Sequence, residues 1–213
     1  MKVLHLTLSL SLLTMMACGG GGGSSAPTTP ITPVAQKLAT IRLPAASLSL
    51  AAGAITTLAP VALDASGATI AGVAGYSYTS GTTTVAEAQA SGNVIGIGAG
   101  SSVITVSLTR DGVTATATTT VAVTGTLPAT ATVAAGASDL TFTPPTVIVA
   151  RNASVTYSFG ALTHNVTFRT ATGAPTNVPN SASTTVARVF PTAGDFTYDC
   201  TIHAGMTGMV MVR

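Results

Sequence analysis

The chain has no tryptophan, three histidines and two cysteines in 213 residues, and charged side chains make up only 7% of it. Each scarcity removes a class of reading. Eight Lys and Arg against six Asp and Glu leave a net charge of +2, so no basic stripe exists to follow a nucleic-acid backbone. A helical protein would carry more Leu, Glu and Lys than this one does. No apolar run is long enough to span a bilayer as a stable helix; the stretch Leu4 to Leu13 is the nearest approach. What the chain does hold is Ala, Thr, Val and Gly, with 22 glycines. That mixture suits short Thr/Val-rich strands joined by glycine turns. An all-β protein follows.

Residues 1–17 read as an export signal, with Lys2 as the positive start, an apolar stretch, and Ala17 as the small residue before a cut. Met15-Met16-Ala17-Cys18 resembles the bacterial lipobox, with Met15 where Leu is usual. The resemblance implies that Cys18 becomes the lipidated first residue of the mature chain. Gly19 in place of Asp implies delivery to the outer membrane, facing the periplasm or the surface. Residues 18–33 are rich in Gly, Ser, Pro and Thr and cannot bury apolar surface, so they should form a flexible tether.

Two β-rich segments follow. In residues 34–124, strands are expected at Ala39–Leu43, Ile55–Leu63, Tyr76–Ser80, Asn93–Ile97, Val103–Leu108 and Val113–Val123, with glycines between them. The Ile41-Arg42-Leu43 strand, the Asp64-Ala65-Ser66-Gly67 turn and Ser91-Gly92-Asn93-Val94-Ile95-Gly96-Ile97 resemble the bacterial Ig-like domains of intimin/invasin-type surface proteins. The segment holds no His, Cys or Trp, so it reads as a spacer. Gly125 to Ala129, with Pro128, should be a short hinge crossed by few contacts. In residues 130–213, strands are expected at Val147–Ala150, Val155–Phe159, His164–Arg169, Thr184–Phe190, Asp195–Cys200 and Met209–Val212. The expected architecture is two tandem antiparallel β-sandwiches.

The soft and borderline metal ligands gather at one end of the chain. Without the leader and the lipidated Cys18, the histidines are His164 and His203, the free thiol is Cys200, and the methionines are Met206, Met209 and Met211. Cys200-Thr201-Ile202-His203-Ala204-Gly205-Met206 has the spacing C-x2-H-x2-M. Two His, one Cys and a weak axial Met form the ligand set of type 1 copper sites. Zinc fits less well, because its structural sites take four strong N/S donors and only three exist here. Period-2 alternation puts His164, Val166 and Phe168 on one strand face, and Phe196, Tyr198 and Cys200 on another. Both ligands should therefore enter the core side. By the same parity Val210 and Val212 point inward and Met209 and Met211 outward, which leaves Met206 for the metal.

Residues 130–213 resemble a plastocyanin-type cupredoxin, a Greek-key sandwich. Thr141-Phe142-Thr143-Pro144 is similar to the opening of its second strand, His164-Asn165-Val166 to its first-ligand motif, and Ala193 to Cys200 to the strand leading to the second ligand. The short H-x2-M loop is like that of amicyanin. The resemblance implies one type 1 copper, with His164, Cys200 and His203 equatorial and Met206 axial. It implies that Asn165 supports the site, its backbone N–H reaching the thiolate and its side chain holding Thr201. Ile202 stands where Pro is common, so its N–H is expected to donate to the Cys200 sulfur and raise the potential. Phe196 stands where a Tyr often caps the corner. The function implied is one-electron transfer by a monomer, with His203 as the port toward a cytochrome or membrane oxidoreductase. An enzyme with a second copper centre would need histidines the chain lacks. Two rival roles remain: copper trafficking or storage, with exposed Met209 and Met211 capturing Cu(I), or surface adhesion with an incidental copper site.

Overall fold

The computed structural model describes residues 36–213 apart from 137, 170 and 171, so the leader, Cys18 and the tether lie outside the described residues. Nine strands make the first half: β1 (Thr40–Arg42), β2 (Ser47–Ala51), β3 (Ile55–Thr57), β4 (Val61–Leu63), β5 (Ser77–Ser80), β6 (Ala86–Ala88), β7 (Asn93–Gly96), β8 (Gly98–Arg110) and β9 (Val113–Thr126). Nine more make the second: β10 (Thr130–Ala135), β11 (Phe142–Thr143), β12 (Thr146–Val149), β13 (Ala153–Phe159), β14 (His164–Phe168), β15 (Val178–Ser181), β16 (Thr184–Phe190), β17 (Gly194–Asp199) and β18 (Thr207–Val212). There is no helix among the described residues. The all-β reading holds.

In the first half, sheet β2-β9-β8-β5 faces sheet β3-β7-β6, with the pair β1-β4 alongside. Leu58, Val94, Ile104, Val106 and Val121 fill the space between them. The single strand expected over Ile55–Leu63 is two, because Pro60 between them has no N–H to give a ladder. In the second half, sheet β11-β10-β13-β16 packs on sheet β12-β18-β17-β14-β15. Most pairings are antiparallel, but β2–β9, β10–β13 and β12–β18 run parallel, each joining strands far apart in sequence. The second core is aromatic. Tyr198 meets Phe142 and Tyr157 edge-on at centroid distances of 4.9 and 5.4 Å, and Phe190 lies 5.5 Å from Phe196. Phe196, in the position where a capping Tyr is common, is thus a core residue. Gly208 pairs with Tyr198 across β17 and β18, and any Cβ there would strike the Tyr198 ring. Its glycine makes room for the phenol.

The stretch expected to be a hinge is not a free joint. Only Leu127, Pro128 and Ala129 separate β9 from β10, and the Pro128 and Ala129 carbonyls accept from Ala150 and Ser154 at 3.0 and 2.9 Å. Ile95 on the outer face of β7 packs with Ile148 of β12 and Met211 of β18, and Ile97, Leu127 and Met209 border them. At the edge, Arg213 donates to Glu87 at 3.2 Å and to Asp195 at 2.6 Å. Met209 and Met211 do point away from the second core, as parity requires, yet they are not exposed. Met211 is 3% exposed, because the first half covers the face it occupies.

Candidate metal centre

Three elements meet at one end of the second sandwich. His164 begins β14, and Cys200 follows directly on β17, its antiparallel partner. Strand alternation turns both toward the core, as the sequence implied: His164 is fully buried and Cys200 nearly so. The segment from Cys200 to Met206 then folds tightly. Cys200 N donates to Met206 O at 3.0 Å, His203 N to Cys200 O at 3.3 Å, and Met206 N to His203 O at 3.3 Å. Gly205 sits at φ 82°, a left-handed conformation that glycine adopts without steric cost. That reversal brings Met206 back to Cys200, while the turn closed by His203 N sets the imidazole beside the thiol.

The donor atoms converge. His164 Nδ1 and His203 Nδ1 are 3.0 Å apart, and Cys200 Sγ lies 3.4 Å from His203 Nδ1 and 3.8 Å from His164 Nδ1. Donors about 2.0–2.3 Å from one ion at trigonal angles would stand about 3.5–3.8 Å apart, so the two shorter edges of this triangle would open by up to about 0.5 Å to admit an ion. The rings do not stack, since they are tilted by 58° with centroids 4.6 Å apart. His164 Nε2 lies 2.9 Å from the Gly136 carbonyl oxygen. A carbonyl only accepts, so Nε2 carries the hydrogen and donates it, and in the neutral ring Nδ1 is left as a lone pair aimed into the cluster. Two imidazole nitrogens and a thiol crowded in an apolar end, one of them held as a bare lone pair, fit a soft or borderline cation. His203 is only partly buried, and it is the donor nearest solvent.

Met206 is 2% exposed and belongs to the same core cluster as Cys200. Asn165, 7% exposed, ties β14 to the loop as expected: Nδ2 donates to Thr201 Oγ1 at 2.8 Å, and Oδ1 accepts from Thr201 N at 2.9 Å. Two expectations fail. Among the described residues, the hydrogen-bonding neighbours of Cys200 Sγ are the two imidazole nitrogens, and neither the Asn165 nor the Ile202 backbone N–H donates to it. The tight turn closed by His203 N sends Ile202 outward, to 45% exposure, so the reason given for a raised potential falls away. Two participants were missed. Gly136 acts through a backbone carbonyl, which leaves no side-chain signal. Asn180 of β15 accepts from Asn165 Nδ2 at 2.9 Å, and nothing in its local sequence marks it.

Next to the cluster, on the opposite strand face, Arg169 donates to both carboxylate oxygens of Asp199. These hydrogen bonds, with the guanidinium charge, hold the Asp199 carboxyl below its ordinary value of 3.8. Deeper in the core, the Tyr157 and Tyr198 hydroxyls have no hydrogen-bond partner among the described residues, and burial pushes both phenols well above the usual range.

No family model and no curated protein matches the chain. Solved structures do resemble it. A purple cupredoxin from Nitrosopumilus maritimus is 19% identical and covers 39% of this chain and 99% of its own, at a TM-score of 0.35. A mutant plastocyanin of a fern is 23% identical and covers 38% of this chain and 99% of its own, at a TM-score of 0.35. A reduced Cu(I) form of an amicyanin mutant is similar to this chain at 26% identity, covering 39% of it and 82% of its own length, with a TM-score of 0.35.

Proposed function

We propose that the protein is a type 1 copper electron carrier held at the bacterial envelope. His164, Cys200 and His203 would hold the copper, with Met206 as a fourth, weaker ligand. The observation that carries the reading is the convergence of two imidazole Nδ1 atoms and a thiol sulfur within 4.8 Å, with His164 Nε2 turned to the Gly136 carbonyl so that the neutral ring offers its Nδ1 lone pair to the cluster. When bound, copper would supply a one-electron Cu(II)/Cu(I) couple. The chain's own part is to hold the donors, orient them and exclude water. Gly136 fixes the His164 ring, Asn165 fixes the backbone after Cys200, and the aromatic core backs both. His203 faces outward, and Leu140 before β11, Leu162 before β14 and Ile202 next to His203 in sequence are exposed apolar residues. That surface suits brief contact with a redox partner, such as a cytochrome or membrane oxidoreductase. Lipidation at Cys18 would keep a monomeric carrier at the outer membrane. We read the first half as an Ig-like stand for it.

The burial of Met211 weighs against the trafficking role, which needs that sulfur accessible for capturing Cu(I). Titrating the purified chain with Cu(II) tests the proposal. One equivalent should give an intense blue colour that a reductant bleaches reversibly, and Cys200→Ser should abolish it while the fold persists. A colourless complex, or an unchanged spectrum in the Ser variant, would sink the assignment.

A further inference from the structure

We infer that Asn180 is a positioning residue for the ligand loop and acts on it through Asn165. The inference rests on the reading of the cluster as a copper site. Its starting point is a break in register between β14 and β15. His164 stands opposite Ser181, but Val166 stands opposite Val178. Two steps along β14 thus match three along β15, and Pro179 and Asn180 together face Asn165. An extra residue of this kind bends its strand and re-aims a side chain, and such bulges gather beside functional sites. Pro179 suits the position, because a bulge leaves a residue without a ladder partner and proline has no N–H to lose.

The side chain that the bulge delivers completes a small circuit. Asn165 Nδ2 has two hydrogens, and the structure finds an acceptor for each: Asn180 Oδ1 at 2.9 Å and Thr201 Oγ1 at 2.8 Å. Its Oδ1 accepts from Thr201 N at 2.9 Å. With Asn180 in place, the amide has one favourable orientation, oxygen toward the Thr201 N–H. Without that acceptor, turning the NH2 to the Thr201 N–H side still loses this bond, but the total penalty for wavering between orientations falls. Asn165 is nearly buried, so water offers little substitute. Thr201 adjoins Cys200, so the N–H that Asn165 grips belongs to the residue next to the thiol. An exposed residue on an edge strand thereby fixes the backbone at the sulfur. A second asparagine of the same region provides the contrast: Asn177 Oδ1 accepts from Phe168 N at 3.0 Å and has no link to Asn165.

The test uses the full chain in two states. In the metal-free protein, Asn180→Ala should speed hydrogen exchange of the Thr201 amide about fivefold, the scale of one hydrogen bond. Asn180→Asp keeps an acceptor oxygen and should restore slow exchange, and Asn177→Ala should leave Thr201 unchanged. In the copper-loaded protein, Asn180→Ala should shift the visible band and the reduction potential, while Asn177→Ala should shift neither. Equal Thr201 exchange in wild type and Asn180→Ala would overturn the inference, and so would the same acceleration in Asn177→Ala. If the exchange results hold but copper gives no colour, the grip of Asn180 on the loop stands and the copper reading fails.

Discussion

Met211 and Ile95 offer a direct measure of how firmly the two sandwiches are joined. Both side chains point out of their own cores, and each is buried only because the other half covers it; Ile95 is fully enclosed and Met211 is 3% exposed. Truncating a buried Met or Ile to Ala costs about 2–5 kcal/mol, and a site between two bodies that can close slightly should fall at the low end. At about 2–4 °C per kcal/mol for a unit of this size, Met211→Ala should lower the melting temperature by about 4–8 °C. The same holds for Ile95→Ala. The pair should not be additive. Once one side is truncated, the interface loosens and the second truncation removes less, so the double variant should fall short of the sum by about 0.5–2 kcal/mol. Chemical unfolding followed by far-UV and near-UV signals gives the four energies, and coincident transitions would show that the halves unfold together. If both single variants melt within a degree of wild type, or if their effects add fully, the interface is not holding the halves together.

Other expectations concern the site and its surroundings. Met206→Leu should raise the reduction potential and alter the copper spectrum, whereas Met209→Leu and Met211→Leu should do neither, because their sulfurs lie on the far side of β18. Asp199 has its folded pKa depressed by Arg169, so its contribution is present above its unfolded value near 3.8 and disappears as pH falls through the folded value. Asp199→Asn should therefore be slightly less stable than wild type near neutrality, with the gap closing in acid melts below about pH 4; a constant gap would assign the effect to packing. Cys18→Ser should move the protein from the membrane to the soluble fraction. Persistence in the membrane would reject lipidation.

The sequence carried the donor set because two different signals coincided there. Spacing placed Cys200, His203 and Met206 on one short loop, and period-2 alternation aimed His164 and Cys200 into the same core. Both signals are local. What stayed hidden depends on pairing between distant segments. Asn180 becomes a partner of Asn165 only through a bulge, and a bulge is a mismatch between two strands that neither strand encodes alone. Parity gave the direction of Met211 correctly, yet direction says nothing of what covers a face, and the cover comes from Ile95, more than a hundred residues earlier. Strands β2, β6 and β10 escaped for a related reason. Their alanine- and serine-rich stretches have weak propensity, and long-range partners such as the parallel neighbour β13 hold β10 in place.

The Gly136 carbonyl has a bearing on which ions the protein would accept. By accepting from His164 Nε2, it leaves the neutral ring a single lone pair, on Nδ1, with a fixed heading. Without an ion the three donors already stand together at one end of the aromatic core. Ions that want six oxygens find none, and one that wants four strong donors finds three. Raw affinity ranks the divalent metals in much the same order at every site, so selection in cells rests on geometry, donor type and metal supply. Here a backbone oxygen, rather than a side chain, would set which ring nitrogen an ion meets.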